Sequence, residues 1–343
     1  MSTSYHENDH LDRRRFLQKA ALAGSAALLG SRAGKLLAAG ETSPNPEKIR
    51  EDKPIGGTVP RRAFGRTGET VSSIGFGGHT FALAGSEEES IRMVHEAIDH
   101  GVNFMDNAWE YHDGRSEELM GRALAGGWRD KAFLMTKVCT HGRGKDFAMD
   151  MLGKQLRRLQ TDRIDLWQIH AVANEREIDA AFGPGGVVEA LELAKKQGKV
   201  RYVGFTGHTS ADLHYKMLQR GYHFDAVQMP LSAFDAVSGS SFQQKVLPEL
   251  NKQGTAVLAM KSMCGNARPV QEGHVRAEEL IRYVLSLPVA TAILGMDSLD
   301  FLRQNIRVAQ DFTPYKAGEM KALENRCLVA ARRGRYEWYK RAA

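Results

Sequence analysis

Cysteine is scarce in this chain: three residues in 343, Cys139, Cys264 and Cys327, far apart and in neither CxxC nor Cys/His spacing. That pattern supplies neither a disulfide framework nor a zinc-finger ligand set. An apolar run of bilayer length is also missing, since Ala20 to Gly30 falls short of the roughly 20 residues a spanning helix needs. No cysteine follows that run in lipid-attachment context, so no membrane anchor is implied. The glycine-rich G-x-G-x-x-G turn of a doubly wound sheet is absent, because Gly75-Phe76-Gly77-Gly78 lacks its spacing. A basic folded face is missing too. The formal charge is +6, but residues 1–39 contribute +3 and residues 315–343 contribute +5, leaving −2 for everything between. Nucleic-acid binding, which needs basic residues clustered on the fold, is thereby disfavoured.

What is present begins with a targeting segment. Asp12-Arg13-Arg14-Arg15-Phe16-Leu17 fits the twin-arginine pattern, followed by the short Ala/Leu/Gly/Ser core and an end at Ala38-Ala39-Gly40. Residues 1–40 are expected to be a cleavable export signal read by the twin-arginine machinery, which puts the mature chain in the periplasm or otherwise outside the cytoplasm. Residues 41–59, with Pro44, Pro46, Pro54 and Gly56-Gly57, read as a linker.

From Arg61 the pattern changes. RRAFGRTGETVSSIGFGG predicts a hairpin turning at Arg66-Thr67-Gly68 and then a strand at 71–76. An apolar strand followed by an amphipathic helix then recurs. Strands are expected at 71–76, 102–106, 132–138, 164–169, 200–205, 225–229, 255–260 and 290–294. Helices are expected at 87–100, 115–125, 146–160, 186–198, 210–220, 242–253, 275–287 and 298–310. Eight such pairs in about 250 residues are the dimensions of an α/β (β/α)8 TIM barrel, here over 60–312. Pro314 ends the pattern, and 313–343 reads as a basic helical extension, either packed on the barrel or carrying Tyr336, Trp338 and Tyr339 over the pocket.

Barrels of this kind place their chemistry at the C-terminal ends of the strands. There the second strand delivers Asp106, with Tyr111 in the loop after it; AFLMTKV delivers Lys137, and IDLWQIH delivers His170. A carbonyl that accepts hydride needs a proton on its oxygen. Tyr111 can supply it, Lys137 is expected to lower the phenol's pKa, Asp106 to keep Lys137 charged, and His170 to orient the carbonyl oxygen or assist the transfer. Taken singly, Asp106 and Lys137 also read as a structural ion pair, Tyr111 as a loop aromatic and His170 as a hydrogen-bonded histidine.

In this order of residues the chain resembles the aldo-keto reductase family, whose Asp, Tyr, Lys and His tetrad lies on the second, second, third and fourth barrel strands. The resemblance runs from Pro60 to Phe312 and implies a nicotinamide dinucleotide, NAD or NADP, across the barrel mouth, because no side chain carries hydride. It also implies that the opening hairpin caps the barrel base. Gln228 in DAVQMPLS matches the family glutamine that holds the nicotinamide amide. Thr206-Gly207 in VGFTGH stands where the family has Ser-Asn, which removes one carboxamide contact or hands it to His208. Met260 in AMKSM, followed by Lys261 and Ser262, replaces a ring-stacking tyrosine. Around the adenosine Gly295 and Asn305 match, Gln304 replaces a glutamate, and Asp297 stands where a basic residue is usual. That carboxylate favours ribose hydroxyls over a 2′-phosphate and leans the expectation to NAD(H), with Arg303 as the residue that would oppose it.

Histidines 79, 112, 141, 170 and 208 follow strands one to five. His79, His112 and His141, with Trp109, are read as lining a polar substrate pocket for a small carbonyl compound or alcohol. Two rival functions remain open from sequence: a barrel that binds the dinucleotide without turnover, and a metal-dependent hydrolase, against which stands the lack of an H-x-H pair at the first strand.

Overall fold

The structure is a computed structural model that describes residues 56–331 and 334–340. The export signal, most of the linker, and residues 332–333 and 341–343 of the extension lie outside the described residues.

A two-stranded antiparallel hairpin comes first, β1 (Arg61–Ala63) and β2 (Thr70–Ser72). Eight parallel strands then close into a barrel: β3 (Ile74–Gly77), β4 (Phe104–Asp106), β5 (Phe133–Val138), β6 (Ile164–Ile169), β7 (Val200–Thr206), β8 (Ala226–Pro230), β9 (Ala256–Met260) and β10 (Thr291–Gly295). β10 pairs with both β9 and β3, so no edge remains unpaired. The expected strand at 71–76 is two strands, because the backbone leaves the hairpin at Ser73 before β3 enters the barrel.

Alternation along the strands builds two cores. Residues of one parity, Phe104, Phe133, Met135, Leu166, Ala226, Leu258 and Ile293, fill the barrel interior together with Phe64 and Val71 from the hairpin. The Phe64 ring lies 4.8 Å from Phe133 and 5.7 Å from Tyr202, so the hairpin plugs the barrel base as expected. Residues of the other parity, Met105, Leu134, Trp167, Val203 and Val227 among them, face outward onto the helices.

The helices satisfy that outer layer. In the helix Glu87–Asp99 the buried positions are Ser90, Met93, Val94, Ala97 and Ile98, one stripe at helical spacing, and Ser86 caps the start by accepting from the Glu89 N–H. Burying its larger apolar side chains is worth about 1.5–3 kcal/mol each. The expected helix at 242–253 is broken into Phe242–Lys245 and Leu247–Gln253, where Pro248 sits in the first turn and has no N–H to continue the earlier ladder. An additional helix, Glu175–Phe182, is capped by Asn174 accepting from the Glu177 N–H. Among the described residues no helix is long and apolar enough to cross a membrane.

The extension forms the helix Ala317–Ala330 and returns over the loops after β8 and β9. Tyr336 packs 5.3 Å from the Phe234 ring, and Lys340 Nζ reaches Asp235 at 2.6 Å and the Ser240 carbonyl at 2.9 Å. Trp338 is exposed, with Lys261 Nζ 6.0 Å from its ring.

Candidate active site

The same parity that fills the base decides what occupies the mouth. Two residues beyond Phe104 the inward side chain is Asp106; beyond Met135 it is Lys137; beyond Leu166 come Gln168 and His170. Register then sets them side by side, with Gly77 opposite Asp106, Lys137 opposite Gln168, and Thr206 opposite Gln228. Gly78 lets the first loop close over this rim, since a Cβ there would lie 2.1 Å from the Asp106 carbonyl oxygen.

Lys137 is the hub. Its ammonium donates to Asp106 Oδ1, to the Asn107 carbonyl at 2.7 Å and to Tyr111 Oη at 3.0 Å; Lys137, Asp106 and Asn107 are buried, and Tyr111 is half-buried at the rim. Tyr111 reaches inward because the chain after β4 makes a tight turn, Tyr111–Gly114, in which His112 and Asp113 take positive φ of 52° and 56°. Behind β5 the strand is pinned by a buried network. Gln155 donates to the Lys137 carbonyl at 2.8 Å and to Glu117 at 2.7 Å, and Thr136 donates to the same carboxylate.

The electrostatics differ from the expectation in one respect. Burial pulls the Lys137 ammonium down, but Asp106 and Tyr111 together raise it, so it stays charged. Lys137 does act to lower the phenol, yet burial and then the Asp106 charge outweigh it and Tyr111 is pushed up to about 12. The phenol is therefore a firmly protonated acid rather than a near-neutral one.

His170 has a partner that sequence reading missed. Its Nδ1 lies 2.8 Å from Glu110 Oε2, while Glu110 Oε1 accepts from the Thr140 N–H. Burial works to raise Glu110, but the bonds to His170 and Thr140 hold it at about 2. A carboxylate only accepts, so the Nδ1 proton is assigned to this bond. Burial depresses the His170 pKa against the pull of Glu110, and the neutral ring then presents Nε2 as an acceptor. Of its two expected roles, that favours handling a hydroxyl proton over donating to a carbonyl oxygen. The Tyr111 and His170 rings stand edge to face at 6.1 Å. Glu110 immediately precedes Tyr111 in sequence, but its partner is 60 residues away, which is why no local pattern announced the pair.

The remaining candidates are distributed unevenly. His79 is exposed and stands 5.3 Å from the Tyr111 ring, and His112 Nε2 meets the His79 carbonyl at 2.7 Å. Trp109 instead stacks under the Arg158 guanidinium at 3.9 Å, and exposed His141 faces Cys139. Across the mouth Gln168 Nε2 donates to Gln228 Oε1 at 3.1 Å. Met260 at the end of β9 and Ser262 just beyond it are buried, with Lys261 between them at φ 59°. Burial and then the Lys137 charge lower the Lys261 pKa. Gly207 is dictated by space: a Cβ would lie 2.6 Å from the Val172 carbonyl oxygen, so an asparagine is not accommodated there. After β10, Gly295 and Asp297 are exposed and the buried Asn305 Nδ2 donates to the Gly295 carbonyl at 3.4 Å. Arg303 is held by both Glu96 carboxylate oxygens, at 2.6 and 3.0 Å.

The aldo/keto reductase family model matches residues 73–273, more than half of the chain. The chain belongs to the aldo/keto reductase family. Oxidoreductase chemistry follows from that membership. Over 304 residues it is 26% identical to the oxidoreductase YqkF of Bacillus subtilis, covering 77% of this chain and 95% of that one. It is 30% identical over 213 residues to the L-galactose dehydrogenase of Arabidopsis thaliana, covering 58% and 63%. Among solved structures, an aldo-keto reductase from Klebsiella pneumoniae in complex with NADPH superposes with a TM-score of 0.65 at 22% identity, over 80% of this chain and 96% of that one. The holo form of a Bacillus halodurans aldo-keto reductase gives 0.65 at 24%, over 78% and 96%. Here the barrel mouth fits a nicotinamide dinucleotide: Gln168 Oε1, Thr206 Oγ1 and Ser262 Oγ are buried without a protein partner on the rim where a carboxamide needs polar contacts.

Proposed function

We propose that this reductase-family chain interconverts an aldehyde or ketone and the corresponding alcohol, with Tyr111 as the proton donor. One observation carries the reading: Lys137 binds Asp106 and the Tyr111 hydroxyl at once, inside the barrel mouth. A bound nicotinamide dinucleotide supplies the hydride. Gln168, Thr206, Gln228, Met260 and Ser262 hold its nicotinamide end, and Gly295, Asp297 and Asn305 its adenosine end. Tyr111 gives its proton to the oxygen as negative charge develops, and the Lys137 ammonium stabilises the phenolate left behind. His170, oriented by Glu110, accepts from the hydroxyl formed, and His79 and His112 line the substrate side. Tyr111→Phe is expected to cut kcat by roughly 10²–10⁴ while cofactor affinity changes little. A variant that keeps wild-type kcat removes Tyr111 from the mechanism. Wild-type protein that binds cofactor but turns over no carbonyl compound makes the barrel a binder.

Cofactor preference is read from charge. Asp297 is an exposed carboxylate beside Gly295, and Arg303 is occupied by Glu96. NAD(H) therefore binds at least as well as NADP(H) in this reading, although the Klebsiella pneumoniae structure is in complex with NADPH.

Residues 1–40 act as a twin-arginine export signal ahead of the linker 41–59, the barrel 60–312 and the extension 313–343. The support is the Asp12–Leu17 pattern and the short core after it. Outside the cytoplasm free dinucleotide is scarce, so the chain retains its cofactor below a micromolar dissociation constant, more than about 8 kcal/mol of binding free energy.

A further inference from the structure

Three side chains able to ligate a metal converge beside the Lys137 hub. Glu110 precedes Tyr111, and Cys139 and His141 flank Thr140 in the turn that leaves β5. The Thr140 N–H donates to Glu110 Oε1, so this turn wraps the carboxylate and brings a side chain to either side of it. Cys139 Sγ lies 2.9 Å from His141 Nδ1, and the donor atoms of all three residues fall within 4.8 Å of one another. Among the described residues no other grouping of His, Cys, Asp and Glu brings three such donors together. The thiol is buried, the carboxylate half-buried and the imidazole exposed, which anchors one ligand in the wall and leaves another facing solvent.

We propose that Glu110, Cys139 and His141 bind one Zn²⁺ ion, and that the ion inhibits carbonyl reduction by engaging the carboxylate that orients His170. One thiolate, one imidazole and one carboxylate are the donor types zinc takes, at about 2.3, 2.0–2.1 and 2.0–2.2 Å. Tetrahedral bonds of those lengths set sulfur and nitrogen about 3.5 Å apart. The present 2.9 Å contact therefore has to open by under 1 Å, which rotation of the exposed His141 ring provides. Magnesium and calcium, which demand oxygen ligands, do not suit the set. On binding, the Cys139 S–H bond breaks, a sulfur–zinc bond forms and the proton leaves to solvent; water completes the coordination. No electron is transferred.

The consequence for catalysis runs through Glu110, whose other oxygen meets His170 Nδ1 at 2.8 Å. A carboxylate bound to a dication is a poorer acceptor, so the bond that fixes the His170 ring weakens and the ring loses the partner that orients it. Metal binding stands independently of the proposed reaction, whereas the inhibition rests on it.

The test uses the full chain with Co²⁺ alone as an optical probe. One equivalent is expected to give a thiolate-to-cobalt charge-transfer band in the near ultraviolet that Zn²⁺ abolishes. Cys139→Ser should lose the band although Cys264 and Cys327 remain. His141→Ala, at an exposed position that tolerates change, should weaken cobalt binding by more than the roughly 10–100-fold cost of losing an outer partner of a metal site. Stoichiometric Zn²⁺ should inhibit the wild type, while Cys139→Ser keeps basal turnover and resists inhibition. Absence of the band at one equivalent in the wild type, or an undiminished band in Cys139→Ser or His141→Ala, overturns the site. A band with uninhibited turnover overturns the coupling to His170. A band in a protein that reduces no carbonyl compound leaves the site standing and overturns the reaction on which the inhibition depends.

Discussion

Replacing Lys137 by methionine removes the charge that three groups share. The Asp106 carboxylate, the Asn107 carbonyl and the Tyr111 hydroxyl all lose their donor, in a place where the two charged side chains are 1% and 4% exposed. Water cannot replace the ammonium without reopening the barrel interior. Stranding one partner of a buried pair costs about 3–5 kcal/mol. Domains of 150–250 residues lose roughly 2–4 °C per kcal/mol, and longer ones less, so the melting temperature should fall on the order of 5–10 °C. Asp106→Asn combined with Lys137→Met removes both charges and should recover part of that loss, because an amide is cheaper to bury than an unpaired carboxylate. Turnover should be lost in both variants, since neither has a cation to stabilise the Tyr111 phenolate. Calorimetric melting at one pH and single-turnover reduction with cofactor in excess measure the two halves separately. If the single and double variants melt alike, Asp106 and Lys137 do not stabilise each other; if the double variant turns over, Lys137 is not needed.

Three further outcomes follow, beside the loss of kcat in Tyr111→Phe. Asp297→Arg should shift binding towards NADP(H), measured by titrating both cofactors calorimetrically, and a clear NADP(H) preference in the unchanged protein would defeat the argument from Asp297. With Arg13 and Arg14 changed to Lys the chain should remain in the cytoplasm; export of the wild type and release of dinucleotide on denaturing it are both required by the retention reading, and cytoplasmic wild-type protein that emerges empty ends it. A last prediction concerns acid stability. Burial holds His214 at about 4, below its usual value near ~6.5, so the folded state binds fewer protons than the unfolded chain between those values. Stability from this group is therefore complete above pH ~6.5 and is lost as pH falls through about 4, amounting to about 2 kcal/mol by pH 5. His214→Gln should show a smaller loss between pH 7 and pH 5, and an unchanged acid profile would mean that His214 does not report the transition.

Much of the barrel was legible because its signals are local. Apolar strands such as 102–106 and 132–138 and amphipathic helices such as 87–100 announce themselves within a window of a few residues, and in the fold the strands alternate inward Phe104 and Met135 with outward Met105 and Leu134. The same parity carried Asp106, Lys137 and His170 to the inner rim, so the candidate acid–base residues were readable as soon as the strands were. Where local signals were weak the reading slipped: Ser73 divides one expected strand, Pro248 divides one expected helix, and the eight residues Glu175–Phe182 were passed over.

Properties that depend on chain segments meeting had no such trace. Glu110 finds His170 across 60 residues, Trp109 is turned to Arg158, and Gly207 is required by a carbonyl from the preceding loop. The sign of the Tyr111 shift belongs to the same class. Sequence supplies the charges of Lys137 and Asp106, but which of them prevails over the phenol, and how far burial adds to it, is decided by distances and solvent exclusion that exist only once the barrel has closed.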